Sequence, residues 1–215
     1  MHIAYLILVH KNPHQVGRLV SRLPTKDTDV YIHIDKKIDD ISEYTTQFKD
    51  LNNVFLINKR VNIMWGAYSM VQATLNGLSE IINSGQHYDY INLLSGQDYP
   101  IKSNEYIFDF FERNNGQNFI QYGKFPVDEL SGGGMDRVYY YYNFDNPKGN
   151  KYELEMKIRG KRRSFINDME PYHGSQWWSL TGECVQHILD KVRENKELTN
   201  FYRYSMFSDE QFFKL

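Results

Sequence analysis

The sequence predicts an α/β protein with a mainly parallel central sheet flanked by helices. Three observations carry that prediction. Near-continuous apolar runs occur at Ile3–Val9, Val30–Ile34 and Tyr90–Leu94, as strands buried on both faces require. Apolar residues at helical spacing fall between the runs, so strand and helix alternate along the chain. The third run stops in Ser95-Gly96-Gln97-Asp98, closed by Pro100, which delivers small and acidic residues to the carboxyl edge of a sheet. In open α/β sheets, ligands bind at that edge.

The first run ends at His10-Lys11-Asn12-Pro13, as a central strand feeding a loop would. From His14 to Leu23, the residues Val16, Leu19, Val20 and Leu23 share one helical face, and Pro24 stops the helix. The second strand ends His33-Ile34-Asp35-Lys36-Lys37, a polar stretch runs to Asp50, and a short apolar run follows at Val54 to Ile57. After Met64-Trp65-Gly66-Ala67, the residues Tyr68, Val71, Leu75, Leu78 and Ile82 mark an amphipathic helix that Ser84-Gly85 ends. Ser103-Asn104 reads as the cap of a helix from Glu105 to Arg113, and Phe119 to Tyr122 as a short strand.

The alternation fails from Lys124 to Arg163. Ser131-Gly132-Gly133-Gly134 reads as a flexible joint, Tyr139 to Tyr142 is a tyrosine run, and Lys157 to Arg163 reads as a solvated basic surface. This stretch is expected to be an irregular or mobile excursion of one catalytic domain spanning residues 1–215. Order returns at His173 to Leu180, and a helix from Glu183 to Arg193 places Val185, Ile188, Leu189 and Val192 on one face. Ser208 and Gln211 have the spacing of a capping box, so a final helix is expected to start there. Few residues remain after that start, so the sequence reads as a piece that continues past Leu215.

A length of 215 residues suits one large core, and 41% hydrophobic with 24% charged residues matches soluble globular proteins. A net charge of -2 offers no electrostatic case for nucleic acid. The single cysteine, Cys184, excludes an intrachain disulfide and suits a reducing compartment; its place in a helical run reads as a buried structural thiol. The run Ile3–Val9 is too short to span a bilayer and lacks the flanks of an export signal. The expected location is cytoplasmic, with room for peripheral association at the inner face of the membrane.

No cysteine cluster or His-x-x-x-His helix is present, and Asp27-Thr28-Asp29 precedes a strand rather than following one, so no metal is expected. The glycine patterns of phosphate loops, dinucleotide folds and serine hydrolases are missing, which removes ordinary ATPases, oxidoreductases and esterases. Asp35, just past a buried strand, either accepts hydrogen bonds from a ribose or uracil edge or pairs with Lys36 or Lys37. Asp98 is either a ligand group or a turn former. Glu210, in the first turn of the expected last helix, is placed for general-base work or is an ordinary helix-start acid. Trp177 and Trp178 offer a stacking face for a sugar, though one of two adjacent strand residues must turn to the core.

Five segments occur in order: His33 to Lys37, Trp65 to Leu75, Leu93 to Lys102, Gly174 to Thr181, and Ser208 to Phe213. On these the chain resembles the core-2/I-branching N-acetylglucosaminyltransferases and their xylosyltransferase relatives. The resemblance implies a GT-A-type fold, a UDP-sugar donor and inversion at the anomeric carbon by one in-line displacement. It implies that Glu210, matching the glutamate of the family's Ser-Pro-Asp-Glu motif, deprotonates the acceptor hydroxyl; Ser208 replaces the proline. The family lacks a metal-binding Asp-x-Asp, in keeping with Ser95-Gly96-Gln97-Asp98, and uses an arginine and a lysine expected beyond Leu215 to neutralise the leaving diphosphate.

On the same resemblance, Val9, His10 and Asp35 take the nucleoside, while Ser95, Gly96 and Asp98 take the donor sugar. Trp65 and Gly66 join the donor site, Trp177 and Trp178 bind the glycan acceptor, and Glu210 faces the donor. The family name implies N-acetylglucosamine as the sugar, with xylose used by relatives. Animal members are disulfide-held Golgi membrane proteins, so one cysteine and no anchor look like a bacterial member serving surface polysaccharide assembly. Two alternatives stay open: a non-catalytic nucleotide-sugar or carbohydrate binding module, and a nucleotide-binding α/β protein of another kind.

Overall fold

The computed structural model describes residues 1–24, 26–143, 145 and 162–214. They fall into two compact units. The first comprises Met1–Asn62, Ala73–Phe119 and Trp177–Leu189; the second takes its described residues from Ile63–Gln72, Ile120–Gln176 and Asp190–Leu215.

The first unit is a helix-covered sheet. Strands β1 (Ile3–Val9), β2 (Thr28–Ile34), β3 (Val54–Leu56) and β4 (Tyr90–Ser95) are mutually parallel in the order β3-β2-β1-β4. The sheet continues to β5 (Phe119–Ile120) at its far edge, while β6 (Gly123–Lys124) and β7 (Tyr172–His173) pair separately in the second unit. Strand β8 (Trp178–Thr181) lies between β4 and β5 and runs antiparallel to β4. The sheet is therefore mainly parallel, as the unbroken apolar runs predict. All seven residues of β1 are buried, the mark of a central strand covered on both faces.

Four helices accompany these strands: α1 (Pro13–Arg22), α2 (Ser42–Gln47), α3 (Tyr68–Ile82) and α4 (Asn104–Arg113). Ile3, Tyr5, Ile7 and Val9 pack with Val16 and Leu19 of α1, Tyr44 of α2 and Phe111 of α4. Leu6, on the opposite face of β1, meets α3 at Gly77, where an added Cβ would stand 2.7 Å from a leucine methyl. Ser103 caps α4 by accepting a hydrogen bond from the Tyr106 N–H at 3.2 Å, as its position predicts. The helix Gly182–Glu194 begins with the Thr181 hydroxyl accepting from the Cys184 N–H at 3.1 Å, and that cysteine is half-buried rather than fully enclosed. Helix α2 lies in the polar stretch before Asp50, where Tyr44 alone in the helix is buried and no apolar period announces it.

The second unit corrects three expectations. Gly132, Gly133 and Gly134 all have left-handed φ, and a Cβ on Gly134 would stand 2.8 Å from Leu130 and Phe125. That run is a packed turn, which glycine alone permits without strain, and not a flexible joint. Lys157 to Lys161 lie outside the described residues, but Arg163 is buried rather than solvated. Its guanidinium donates to the carbonyls of Val138, Phe201 and Arg137 and to the Ser205 hydroxyl, and lies 3.9 Å from the Phe201 ring centre.

The third correction concerns Ser208. Two short 3-10 turns, Ser208–Glu210 and Phe212–Lys214, stand where an α-helix is expected. Phe207 precedes them in a left-handed conformation (φ 50°, ψ 48°), and Gln211 donates to the Met206 and Phe207 carbonyls instead of closing a capping box. Buried Phe212, edge-on to Tyr68 and Tyr202, shows that packing sets this segment's shape. Among the described residues, no helix is long and apolar enough to cross a membrane.

Candidate functional site

Strand register builds the first part of the site. Val9 lies level with Ile34, and Leu8 with Ser95, so three strands end together. The ends are laced: the Asp35 N–H donates to the Val9 carbonyl at 2.7 Å, and the Gly96 N–H to the Leu8 carbonyl at 2.9 Å. A Cβ on Gly96 would stand 3.0 Å from Val9 and 3.2 Å from Val16, so strand and helix approach closely here and a larger residue would have to push one of the valines aside. Val9, His10, Asp35, Ser95, Gly96 and Asp98 thus share one carboxyl edge.

The two carboxylates of that edge are already engaged. Asp98 Oδ2 accepts from the Ser95 N–H at 2.8 Å, so the side chain shapes its own turn. Asp35, 2% exposed, accepts from the Lys37 N–H at 2.8 Å and lies 3.5 Å from Lys37 Nζ. The pairing with a neighbouring lysine is thus formed, with Lys37. The fold adds Arg60 to this edge. Its guanidinium binds the carbonyls of Ile34, Asp35 and Ile38 and stiffens the loop that carries Asp35. No motif announces Arg60, because its partners are backbone atoms more than twenty positions away.

His33 Nε2 accepts from the Val61 N–H at 2.9 Å, and burial pushes this imidazole down to about 4, so it is a neutral structural acceptor. His10, at the mouth of the edge, is also pushed down, first by its burial and then by the Lys11 charge. Asp29, by contrast, sits near the amino end of β2, bound to Tyr88 at 2.7 Å and His2 at 3.2 Å. It has no place at the carboxyl edge. Asp98 also lines a cavity of about 220 Å³ whose other walls include Tyr5, Leu19, Leu94, Ile107 and Phe111. Such apolar walls do not suit a diphosphate.

Adjacent tryptophans part company on β8 and its approach. Trp178 is 4% exposed and fills the core, while Trp177 is 38% exposed. Burial thus removes Trp178 from the expected acceptor pair, while Trp177 stays partly exposed.

Glu210 is built into the second unit. The 3-10 turn holding it is three residues long, so no helix dipole acts on it; its partner is Arg137, whose Nη1 stands 2.7 Å from Glu210 Oε2. The guanidinium carbon lies 4.7 Å from the Phe207 ring centre. Phe207 donates its N–H to the Gly66 carbonyl at 2.8 Å and packs edge-on against Trp65 at 5.1 Å. A Cβ on Gly66, whose φ is +73°, would stand 3.0 Å from the Phe207 ring. Trp65 and Gly66 of one motif and Glu210 of another thus meet through Phe207.

The Glu210 backbone is held from another side. Its carbonyl accepts from the Gly174 N–H at 2.8 Å, and Lys214 Nζ donates to the Ser175 carbonyl at 2.7 Å. Burial pushes Lys214 down to about 8. Burial pushes neighbouring Asp209 up to about 6, with the Glu210 charge adding to the rise. Chemically, the cluster presents one half-exposed carboxylate on a rigid frame, the arrangement a proton acceptor needs.

The model of the Core-2/I-Branching enzyme family matches residues 3–215. The chain is 24% identical over 217 residues to Xylosyltransferase oxt of Drosophila pseudoobscura pseudoobscura, a match covering 98% of this chain and 23% of that protein. It is 26% identical over 219 residues to Xylosyltransferase 1 of Canis lupus familiaris, covering 98% of this chain and 22% of that one. The chain thus spans roughly a quarter of the length of these curated relatives. Among solved structures, mouse Xyloside xylosyltransferase 1 in its apo form aligns with a TM-score of 0.41 and 10% identity, covering 99% of this chain and 80% of that one. Because the family match takes in both the strand edge and the segment of Glu210, the chain belongs to the Core-2/I-Branching enzyme family.

Proposed function

We propose that the chain is an inverting, metal-independent glycosyltransferase of GT-A type that moves a sugar from a UDP-sugar to a glycan hydroxyl. The observation that carries this reading is the setting of Glu210: half-exposed, bound through one oxygen to Arg137, and anchored through its backbone to Gly174. In the proposed step, Glu210 accepts the acceptor hydroxyl proton. The hydroxyl oxygen forms a bond to the anomeric carbon from the face opposite the nucleotide. The electron pair of the broken carbon–oxygen bond leaves with UDP.

Val9, His10 and Asp35 are assigned to the nucleoside, Ser95, Gly96 and Asp98 to the donor sugar, Trp65 and Gly66 to the donor site, and Trp177 to the acceptor. The proposed sugar is N-acetylglucosamine. UDP-xylose is the second donor to test, since the relatives are named xylosyltransferases. The proposed setting is the assembly of a bacterial surface polysaccharide at the cytoplasmic side of the membrane.

Glu210→Gln tests the assignment, because the amide keeps the shape and cannot take the proton. UDP affinity by calorimetry is expected to stay within about twofold, and turnover of the donor to fall by about 10²–10⁴. Near-normal turnover in the variant overturns the role of Glu210. UDP binding without any turnover in the parent chain would instead mark a nucleotide-sugar binding module.

A further inference from the structure

We propose that Arg137 is a positioning residue that pins one oxygen of Glu210 so that the other is presented to the acceptor hydroxyl. The proposal rests on the reading of Glu210 as the base. A glutamate side chain has three torsions, and left to itself a half-exposed one samples several rotamers. Ordinary surface ion pairs do little to prevent this, because both partners move.

Arg137 is not an ordinary surface partner. Its side chain is 13% exposed against 39% for that of Glu210, so the cation is the fixed member of the pair. The guanidinium carbon lies over the Phe207 ring, 4.7 Å from its centre, and a guanidinium held by a cation–π contact and a fork of donors keeps its direction better than a lysine ammonium would. The ring is itself fixed, since Phe207 is bonded to Gly66 and packed against Trp65. From behind, buried Arg163 donates to the Arg137 carbonyl at 3.0 Å and so fixes the backbone that carries the cation.

The pair uses Glu210 Oε2, and among the described residues no bond to Oε1 is found. Oε1 is therefore the oxygen that takes the proton. When it does, Glu210 becomes neutral while Arg137 keeps its charge, and the proton is later returned to water. Arg137 itself transfers no proton, since a guanidinium stays protonated throughout. Its contribution is geometric, and misplacing a reacting group by about 1 Å costs on the order of 10² in rate.

The experiment compares the parent chain with Arg137→Ala, Arg137→Lys and Glu210→Gln, using UDP-N-acetylglucosamine and UDP-xylose hydrolysis as the activity. Arg137→Ala is expected to lower kcat by about 10² with KM within about twofold. Arg137→Lys should recover part of the loss, and free guanidinium should raise kcat of Arg137→Ala while leaving Glu210→Gln unchanged. A kcat within threefold of the parent in Arg137→Ala overturns the proposal. So does a loss that tracks the urea midpoint and that guanidinium does not reverse.

Inactive Glu210→Gln beside unaffected Arg137→Ala would remove Arg137 alone, whereas active Glu210→Gln removes the base itself. A measurement without substrate reads the positioning directly, through side-chain ¹³C couplings of Glu210. One rotamer in the parent and averaged couplings in Arg137→Ala are expected; averaging already present in the parent overturns the proposal.

Discussion

Replacing Gly174 by alanine tests the frame that holds Glu210. An added Cβ would stand 2.8 Å from the Gln121 carbonyl carbon and closer still to its oxygen, with Lys214 Cε at 3.0 Å on another side. Carbon pairs settle at about 3.5–4.0 Å, so relief from the Gln121 carbonyl carbon alone needs about 0.7 Å, and its oxygen pushes the need to about 1 Å. The Gly174 N–H donates to the Glu210 carbonyl at 2.8 Å, and a shift of that size takes the pair beyond hydrogen-bond range. Overpacking costs about 1–3 kcal/mol and the lost bond about 1 kcal/mol, so about 2–4 kcal/mol of stability is at stake. A displacement of about 1 Å at Glu210 adds a loss of about 10² in kcat.

Gly182→Ala is the matched control. Its Cβ would stand 3.3 Å from the Tyr88 carbonyl carbon and closer to the oxygen, and the Gly182 N–H donates to Asp89 rather than to any proposed catalytic group. Urea denaturation and donor hydrolysis, measured on both variants, separate the two effects. Both should lose stability, and Gly174→Ala should lose far more turnover. Unchanged stability in Gly174→Ala refutes the steric argument. Equal turnover losses in the two variants refute the idea that Gly174 positions Glu210.

The remaining predictions concern charge. Asp209 is pushed up to about 6 by burial first, with Glu210 raising it further and Arg137 and Lys214 opposing. The folded state therefore holds a proton that the unfolded chain, near 3.9, gives up; the resulting stability is full below that value and lost as pH rises through about 6, about 3 kcal/mol in all. Buried His33, pushed down to about 4, gives the opposite slope over much of the same range, so the test is the difference between Asp209→Asn and the parent. That difference should move in favour of the variant from pH 4 to 7, and a flat difference in urea midpoints refutes it. Transfer activity should survive excess EDTA, because Gly96 stands where an Asp-x-Asp ending at Asp98 would supply its first carboxylate and Asp98 Oδ2 is bound to the Ser95 N–H. A strict Mn²⁺ requirement would contradict that expectation.

Strands and long helices were legible because their cause is local. Seven consecutive buried residues in β1 must all be apolar, and a strand covered on both faces is what such a short, bounded run encodes. The Ser103 cap was legible for the same reason, since donor and acceptor lie three residues apart. The short pieces were not. Helix α2 buries Tyr44 alone, and the Ser208 segment carries a capping spacing that packing around Phe207 and Phe212 overrides.

The sequence by itself determined the sheet, the edge that gathers Val9, Asp35 and Asp98, and the motif that points to Glu210. Tertiary structure decided what each of those groups is bonded to. Asp35 pairs with Lys37, and Arg163 binds a set of carbonyls. Glu210 depends on Arg137, 73 positions away, through the pair that joins Arg137 Nη1 to Glu210 Oε2. Hydrophobic period is written along the chain, because burial acts on every residue of an element in turn. An ion pair between distant residues leaves no period, since only the folded backbone brings the two charges within reach.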